Sequence, residues 1–409
     1  MNSGKKLNIL FLAPFCDGKD VGESFNSHRW ASKLMDRVNL TVLSLHRKGQ
    51  IPLAEQLPNA RTQTWNEPAF FAQFERFNAI AKPGYVKYYY AVKQWLHEAL
   101  KNGETFDVIH QMTPAAMRYP SPGIGFNIPL IHGPVQGSLE TPEGFKSECN
   151  ESTAWYMKLR NIDRFRLRND PWLRKSVQQA DLMLVGSRYA RELLELAQPK
   201  EVAELVHLNI EEIVEHPERK NPEPGNLKLL HVGRTVRTKG LLDSIRALAQ
   251  LEKDLNVSLD VVGDGDNMSA CVAEVKRLKL ESKVIFHGKQ PRAQVEGFYA
   301  NCDALLFPSF REPAGGVVLE AMRHGLPVIT TNLGGPGYYV NDECGFTVDA
   351  VTPAQLSEDI AKAVTKLATE PGLYGKMQQG AYERVKDLGN MDKKLNWLLD
   401  QYQRLSKVR

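Results

Sequence analysis

Short runs of apolar, β-branched residues alternate along the chain with stretches of helical periodicity. Apolar runs that are separated by helices are typical of parallel strands buried on both faces of a sheet. The first half of the chain therefore predicts an α/β domain. Its predicted strands are 7–12, 39–45, 106–110, 128–131 and 181–185, and its predicted helices are 25–37, 70–81, 85–101 and 153–179.

The alternation restarts after a charged, proline-rich segment, 211–226, which has no apolar period and predicts a linker. A single core stops growing near roughly 250–300 residues, so a chain of 409 residues is expected to form two domains. We expect the first over 1–210 and the second over 227–388. The second half has predicted strands at 227–232, 257–262, 283–286, 303–307, 327–330 and 346–348, and predicted helices at 240–253, 267–279, 291–301, 316–324, 353–369, 373–387 and 391–407.

The composition excludes several classes of protein. Hydrophobic residues make up 42% and charged residues 24%, which is ordinary for a globular chain. A formal net charge of only +4 gives no reason to expect a nucleic-acid partner. The five cysteines form no CxxC pair, so the sequence indicates neither a zinc site nor a disulfide framework. Reduced thiols in a cytosolic protein are the simplest interpretation.

The amino-terminal sequence MNSGKKLNILFLAPF combines two lysines with a short apolar run. Pro14 and Asp17 follow that run directly, and no small-residue cleavage site is present, so we expect a first β-strand here and not a signal peptide. No stretch approaches the ~18 apolar residues that a membrane-spanning helix needs.

Basic residues follow the first predicted strand of the second half, in VGRTVRTKG. Arg234, Arg237 and Lys239 stand at this strand end, after Gly233. An arginine fork and a mobile lysine together suit a diphosphate. A solvated basic loop explains the segment equally well when it is taken alone.

The next strand ends in VVGDGD, where Gly263 and Gly265 allow a tight turn, and Gly263 is also expected to bind the donor. Met268 occupies the place of the last glycine of a GxGxxG motif, which argues against a dinucleotide-dependent dehydrogenase. Asp264 and Asp266 bracket a turn glycine, and no DxD run stands at a strand end.

The segment FPSFREPAGGVVLEAMRHGLPVITT predicts a strand, a loop, a turn at Gly315 and Gly316, and a helix that begins there. Glycines let phosphate oxygens approach the first amides of a helix, where the helix dipole also favours an anion. The amides of Val317 and Val318 are predicted to bind phosphate in this way.

Two carboxylates, Glu312 and Glu320, flank the turn. An early helical glutamate usually lies at the surface and complements the helix dipole. Here the glycine pair between two carboxylates favours hydroxyl binding, with one carboxylate facing a sugar and the other a ribose.

The Glu312-to-Glu320 segment resembles the Glu-x7-Glu signature of the retaining glycosyltransferases of sequence family 4, the glycosyl transferases group 1. Members have the GT-B fold, in which two Rossmann-like parallel-sheet domains face each other across a cleft. GRTVRTKG, VVGDGD, FHGKQPRAQVEGFYANCDALLFPS, EPAGGVVLEAMRHGLPVITT and NLGGPGYYV occur in the family's order and cover about 227–345.

The resemblance implies roles for several residues. Arg234 and Lys239 would hold the donor diphosphate, Glu312 would contact the transferred sugar, and Glu320 would contact the ribose. A final helix within 389–409 would pack back toward the first domain. Tyr338 departs from the family, whose members often carry a glutamate at this position.

The first half carries a weaker signal. Gly18 and Gly22 precede a predicted helix and resemble the family's glycine loop near the donor phosphates, with Gly22 expected at the closest approach. His110 and His132 stand at strand ends. Many relatives place a histidine that aligns the sugar after the second of these strands, which makes His132 the candidate. A buried structural histidine is the competing interpretation.

Residues 155–175 interleave four aromatic with seven basic side chains. Such a segment can hold a helix at an anionic membrane surface or grip a lipid-diphosphate acceptor. The alternative is a helix that has its aromatic side in the core and its basic side in water.

Together these features predict a hexosyltransferase that moves a sugar from a nucleoside-diphosphate sugar to a hydroxyl acceptor with retention. Protein cations and amides would neutralise the leaving diphosphate, so neither a metal ion nor a cofactor is expected. The expected acceptor is a polysaccharide, a lipid-linked intermediate or a small molecule, in the cytoplasm and in peripheral contact with the inner face of the membrane. A nucleotide-sugar epimerase and a non-catalytic nucleotide-sugar-binding protein remain alternatives.

Overall fold

The computed structural model describes residues 6–20, 22–68, 84–137, 139–149, 162–206, 208 and 221–407. Contacts between residues divide the chain into two compact units. The first comprises 1–138, 152–207 and 391–409, and the second comprises 139–151 and 208–390. The segment 139–151, which the sequence pattern assigned to the first domain, thus groups with the second unit.

The first unit is built on a seven-stranded parallel sheet with the strand order β3-β2-β1-β4-β5-β6-β7. All five predicted strands are present. The sequence missed β3 and β7 because these edge strands are only partly buried and therefore lack a continuous apolar run. The strands are β1 Asn8–Leu12, β2 Asn39–His46, β3 Arg61–Asn66, β4 Val108–Gln111, β5 Leu130–Val135, β6 Leu182–Val185 and β7 Val202–Glu204.

Helices flank this sheet, and one of them differs from its prediction. The helix expected over 153–179 is broken at Asp170, whose side chain accepts hydrogen bonds from the amides of Trp172 and Leu173 and so starts a new helix. Residues 150–161 and the helix predicted over 70–81 lie outside the described residues. The helices are α1 Glu23–Leu34, α2 Leu53–Gln56, α3 Gly84–Lys101, α4 Ile162–Asn169, α5 Pro171–Gln179 and α6 Arg188–Leu194.

The second unit has a six-stranded parallel sheet with the order β10-β9-β8-β11-β12-β13. Its strands match the prediction: β8 Asn226–Val232, β9 Asn256–Val262, β10 Val284–Gly288, β11 Ala304–Phe307, β12 Val328–Thr331 and β13 Gly345–Val348. The helices are α7 Leu241–Leu248, α8 Met268–Leu278, α9 Arg292–Asn301, α10 Gly316–Arg323, α11 Gly334–Tyr339, α12 Pro353–Thr369 and α13 Leu373–Gly389. The sequence missed α11 because GGPG is typical of a turn.

The strand order of the second sheet fixes where its loops meet. β8 lies between β9 and β11, so the chain leaves β8 toward one side of the sheet and later continues from β11 toward the other. Ligands of open parallel sheets bind outside the carboxyl ends of the strands at such a switch point. The loops that follow β8 and β11 are therefore the place to look for a site.

The last helix, α14 (Met391–Ser406), belongs to the first unit. Leu395, Leu398, Tyr402 and Leu405 are buried in that unit. The Tyr402 hydroxyl lies 2.6 Å from His110 Nδ1, and His110 Nε2 lies 2.8 Å from the carbonyl oxygen of Gly133. Burial lowers the pKa of His110 to about 4, so the ring is neutral near pH 7. His110 therefore ties α14 to the sheet and is not accessible to a ligand.

Replacing Tyr402 by Phe should leave His110 Nδ1 buried without its partner. We expect Tyr402→Phe to lower the free energy of unfolding of the first unit by about 1–3 kcal/mol, measured by urea denaturation. Tyr90→Phe removes a hydroxyl from an exposed tyrosine and is the matched control, with no change expected. Equal stability of the two variants would contradict the role given to the hydrogen bond.

Candidate functional site

Two loops at the carboxyl edge of the second sheet are held against each other by backbone contacts. The amide of Phe310 donates to the carbonyl of Thr238 at 3.2 Å, and the Ser309 hydroxyl donates to the same oxygen at 3.0 Å. Gly240 has a φ of +76°, and a Cβ there would overlap the Pro308 carbonyl. Only glycine allows this approach, so the loops after β8 and β11 form one surface.

Gly263 serves the same kind of packing. Its φ is +137°, and a Cβ there would overlap the carbonyl oxygen of Gly233 at the end of the neighbouring strand. Its amide donates to Gly288 at 2.8 Å. Gly263 was predicted to bind the donor, whereas the structure gives it a backbone-packing reason to be glycine.

The three cations of the loop after β8 have different environments. Arg234 is exposed and forms no ion pair with any described residue. The Arg237 side chain is only 8% exposed, and its guanidinium donates to Asp243 at 2.6 and 2.9 Å and to Glu148 at 2.7 and 2.9 Å. Its charge is thus already neutralised within the fold. These hydrogen bonds occupy the guanidinium and argue against the expectation that Arg237 joins a diphosphate site.

Arg237 also anchors the segment 139–149. Its guanidinium lies 5.4 Å from the ring centroid of Phe145 and 5.3 Å from that of Phe310, and these two rings pack 4.2 Å apart. Arg311 donates to the hydroxyl of Thr141 at 3.0 Å. These contacts explain why the segment groups with the second unit.

Lys239 and Glu312 form an ion pair across the two loops. Lys239 lies on a single 3-10 turn, Arg237–Lys239, and is buried, while Glu312 is half-buried. The ammonium also lies 5.6 Å from the ring centroid of Phe307 at the end of β11. The structure therefore brings together two residues that the sequence separates by 73 positions.

The sequence suggested that the Glu312 carboxylate lies beside the glycine turn. In the structure it lies on the turn. Its Oε1 accepts hydrogen bonds from the amides of Ala314 and Gly315, both at 3.1 Å. Burial raises the pKa of Glu312, but the Lys239 charge, its hydrogen bond and these two amides together bring the pKa below its usual value. Glu312 is thus an ionised acceptor near neutral pH and not a proton donor.

Gly315 starts α10 in the left-handed conformation, with a φ of +68°. A Cβ there would lie 2.6 Å from Pro336 Cγ, so glycine is also required for packing. The amide of Val318 donates to the carbonyl of Gly315 at 3.0 Å and is occupied within the helix, which weakens its predicted role as a phosphate donor. Gly316 and Val317 are half-buried at the first turn.

Glu320 has a partner that the sequence did not reveal. The hydroxyl of Tyr299, on α9, donates to Glu320 Oε2 at 3.0 Å. The Tyr299 ring is buried and stacks on His324 at a centroid distance of 5.6 Å. This contact fixes one oxygen of Glu320. The two residues are 21 positions apart on different helices, so no regular spacing in the sequence could have predicted this contact.

Tyr338, which departs from the family pattern, lies half-buried on α11. Arg384 donates to its carbonyl oxygen at 3.2 Å. The amide of Gly335, on the same helix, donates to the carbonyl of Glu312 at 3.1 Å. The segment containing Tyr338 thus packs directly on the Glu312 loop.

The predicted residues of the first half lie in the first unit. His132 is buried, and neither ring nitrogen has a hydrogen-bond partner among the described residues. Burial, together with His110, lowers the pKa of His132 to about 3. Its surroundings favour the structural interpretation. Gly22 is exposed at the start of α1 with a φ of +64°. Apart from its chain neighbours, no described residue has an atom within 4 Å of the place that a Cβ would take there. Its backbone is therefore open to close approach.

Among the described residues, no group of three or more His, Cys, Asp or Glu side chains is arranged to hold a metal ion. No helix in the described ranges is both long enough and apolar enough to cross a membrane.

The chain is similar in sequence to known glycosyltransferases. Residues 213–384 match the family described as Glycosyl transferases group 1. The lipopolysaccharide glucosyltransferase WaaG of Escherichia coli (strain K12) is 39% identical over 142 residues, which is 34% of this chain and 37% of WaaG. Matches to this and the next curated relatives span about two fifths of their length.

Two solved structures are similar over nearly the whole chain. Anabaena HepE in complex with UDP has a TM-score of 0.65 and 20% identity, covering 97% of this chain and 100% of HepE. Sucrose-phosphate synthase from Thermosynechococcus elongatus has a TM-score of 0.68 and 18% identity, covering 99% of this chain and 100% of that one. The chain therefore carries a glycosyl transferases group 1 domain and has the GT-B fold of two parallel-sheet α/β domains.

Proposed function

We propose that the protein is a glycosyltransferase that moves a hexose from a nucleoside-diphosphate sugar to a hydroxyl acceptor with retention of the anomeric configuration. The observation that carries the proposal is the Lys239–Glu312 pair on the glycine turn at the switch point of the second sheet. The names of similar proteins support it, since WaaG is a glucosyltransferase and HepE binds UDP.

The charges of the site suit a diphosphate leaving group. Negative charge develops on the diphosphate as the glycosidic bond opens, and fixed cations stabilise it. Arg234 offers an exposed guanidinium with no ion pair among the described residues, and Lys239 offers an ammonium that Glu312 holds in place. A bound diphosphate would give Lys239 a second anionic partner beside Glu312. The protein itself would then supply the positive charge, and we propose that no metal ion is required.

The two carboxylates would position the donor. Glu312 is ionised and held from two sides, so it can accept hydrogen bonds from sugar hydroxyls but has no proton to donate. Glu320, fixed by Tyr299, would accept hydrogen bonds from the ribose hydroxyls. Gly316 and Val317 would approach the phosphates at the first turn of α10. Donor binding by Gly22, in the first unit, stays a prediction.

The acceptor is proposed by class only. A polysaccharide, a lipid-linked intermediate or a small hydroxylated molecule would be glycosylated in polysaccharide or glycolipid biosynthesis in the cytoplasm. The role of His132 in aligning the sugar stays a prediction, and its burial argues against it.

The experiment that tests the proposal incubates the full chain with UDP-, GDP- and ADP-hexoses and a pool of hydroxylated acceptors. NMR of the product should show the anomeric configuration of the donor. Conversion of the donor sugar without any acceptor would favour an epimerase. Binding of a donor without turnover on any acceptor would favour a non-catalytic protein.

Removing one member of the central pair should abolish transfer. We expect Glu312→Gln and Lys239→Met each to lower kcat/KM by about 100-fold or more, the scale for the loss of a fixed electrostatic group. The double variant should lose little beyond either single variant, because the two residues act as one unit. Initial rates of transfer measure both effects.

The exposed pair Lys362–Glu358 on α12 provides a matched control. Lys362→Met and Glu358→Gln remove the same charges from the same unit and should leave the rate unchanged. Near-normal turnover in both Glu312→Gln and Lys239→Met would refute the proposed roles.

Substitution of Arg234 should affect the binding of UDP, whereas substitution of Arg237 should affect the stability of the protein. Arg234→Ala should weaken UDP binding by about tenfold or more, as expected for the loss of a charge-assisted hydrogen bond, with unchanged unfolding. Arg237→Ala takes from the buried Asp243 carboxylate the nearer of its two cations, leaving Arg246 at 3.9 Å, and should lower the free energy of unfolding by about 3–5 kcal/mol. Titration calorimetry and urea denaturation measure the two quantities. The opposite distribution of effects would show that the two arginines have been assigned the wrong roles.

A further inference from the structure

The aromatic and basic segment in the first half of the chain is more exposed than the core-packing interpretation expects. Phe165 on α4 is 66% exposed and Trp172 on α5 is 44% exposed. A helix with its aromatic side in the core would bury both rings. The competing interpretation, in which only the basic side faces water, therefore does not hold for these two residues.

A second helix continues the same surface. Val86 and Tyr90, one turn apart on α3, are 62% and 63% exposed. The Tyr89 ring lies 5.0 Å from Trp172 and 5.4 Å from Tyr90, and the Trp172 indole donates to the Tyr89 hydroxyl at 3.2 Å. The exposed rings of α3 and α5 are thus contiguous. Of the seven large apolar side chains exposed among the described residues, four belong to these three helices.

The charges around these rings are positive. Arg168 and Lys175 are exposed on α4 and α5, and neither forms an ion pair with a described residue. Both acidic residues of the two helices are already neutralised, because Asp163 pairs with Arg118 at 2.9 Å and Asp170 pairs with Arg166 at 2.6 Å. The surface thus carries an excess of cations that the fold does not compensate.

Lys93 on α3 adds to this excess. Its ammonium lies 5.8 Å from the Tyr89 ring centroid. Burial lowers the pKa of Lys93, and the nearby charge of Lys175 lowers it further. Lys93 is half-buried and its ammonium donates to the carbonyl of Ile124 at 2.6 Å, so its charge has no carboxylate partner among the described residues. We call the set of Val86, Tyr90, Phe165, Trp172, Lys93, Arg168 and Lys175 the basic–aromatic face.

We propose that the basic–aromatic face docks on a bilayer of anionic phospholipid. Aromatic rings bury their apolar bodies at the level of the headgroups, and neighbouring lysines and arginines pair with the lipid phosphates. Val86 favours a bilayer over a nucleic acid, because an aliphatic side chain offers a base no face on which to stack. The proposal concerns the first unit and does not depend on the chemistry at Glu312.

The test uses the full chain in co-sedimentation with vesicles of phosphatidylcholine, with and without phosphatidylglycerol. The protein should bind the anionic vesicles and not the neutral ones, and added salt should weaken the binding. Arg168→Glu with Lys175→Glu should lower the partition coefficient at least about 25-fold, since each cation near the surface contributes about fivefold. Val86→Ser with Tyr90→Ser should also weaken binding, including the part that salt does not remove.

Matched variants on the second unit serve as controls. Lys253→Glu with Lys276→Glu changes the net charge equally at exposed sites, and Ile285→Ser with Val351→Ser removes equally exposed apolar side chains. Both should bind vesicles like the unaltered protein. Circular dichroism and thermal unfolding check that all variants fold.

Three results with vesicles would overturn the proposal. They are failure to bind anionic vesicles at low salt, equal binding to neutral vesicles, and normal binding by the variants of the basic–aromatic face. Tighter binding to RNA than to anionic vesicles, lost in the same variants, would assign the face to a nucleic acid and would overturn it as well.

Discussion

The ion pair between Lys239 and Glu312 joins the loops after β8 and β11, and the remaining features of the site depend on it. It places a cation beside the glycine turn and keeps the Glu312 carboxylate ionised where two amides already hold it. Breaking the pair would leave a charge with little water around it, which is costly. A site that binds an anionic donor and develops more negative charge during reaction gains from this arrangement, because the groups need not reorganise.

The geometry of the site requires glycine at a few positions. Gly240 lets the two loops approach, Gly263 lets the ends of β8 and β9 approach, and Gly315 starts α10 with a left-handed residue. Each position excludes a side chain for a backbone reason. The glycines thus shape the site chiefly through packing, even where the sequence pattern suggested direct contact with a ligand.

The basic–aromatic face shows the same division between charge that is neutralised and charge that is available. Asp163 and Asp170 cancel Arg118 and Arg166, just as Asp243 and Glu148 cancel Arg237 in the second unit. In both units the cations left over, such as Arg168 and Arg234, stand on the surface. In the sequence these arginines all look alike. Only the folded structure separates those that are paired with a carboxylate from those whose charge is available to a ligand.

The sequence by itself determined the two parallel sheets, most of their strands, and the position of the glycine turn, because apolar periodicity and glycine conformation are local properties. It also placed Arg234, Lys239, Glu312 and Glu320 in one domain. Only the tertiary structure decided which side chains meet: Arg237 with a carboxylate 89 residues away, Glu320 with Tyr299, and Trp172 with Tyr89. These contacts depend on how helices pack around the sheets, and no spacing along the chain encodes them.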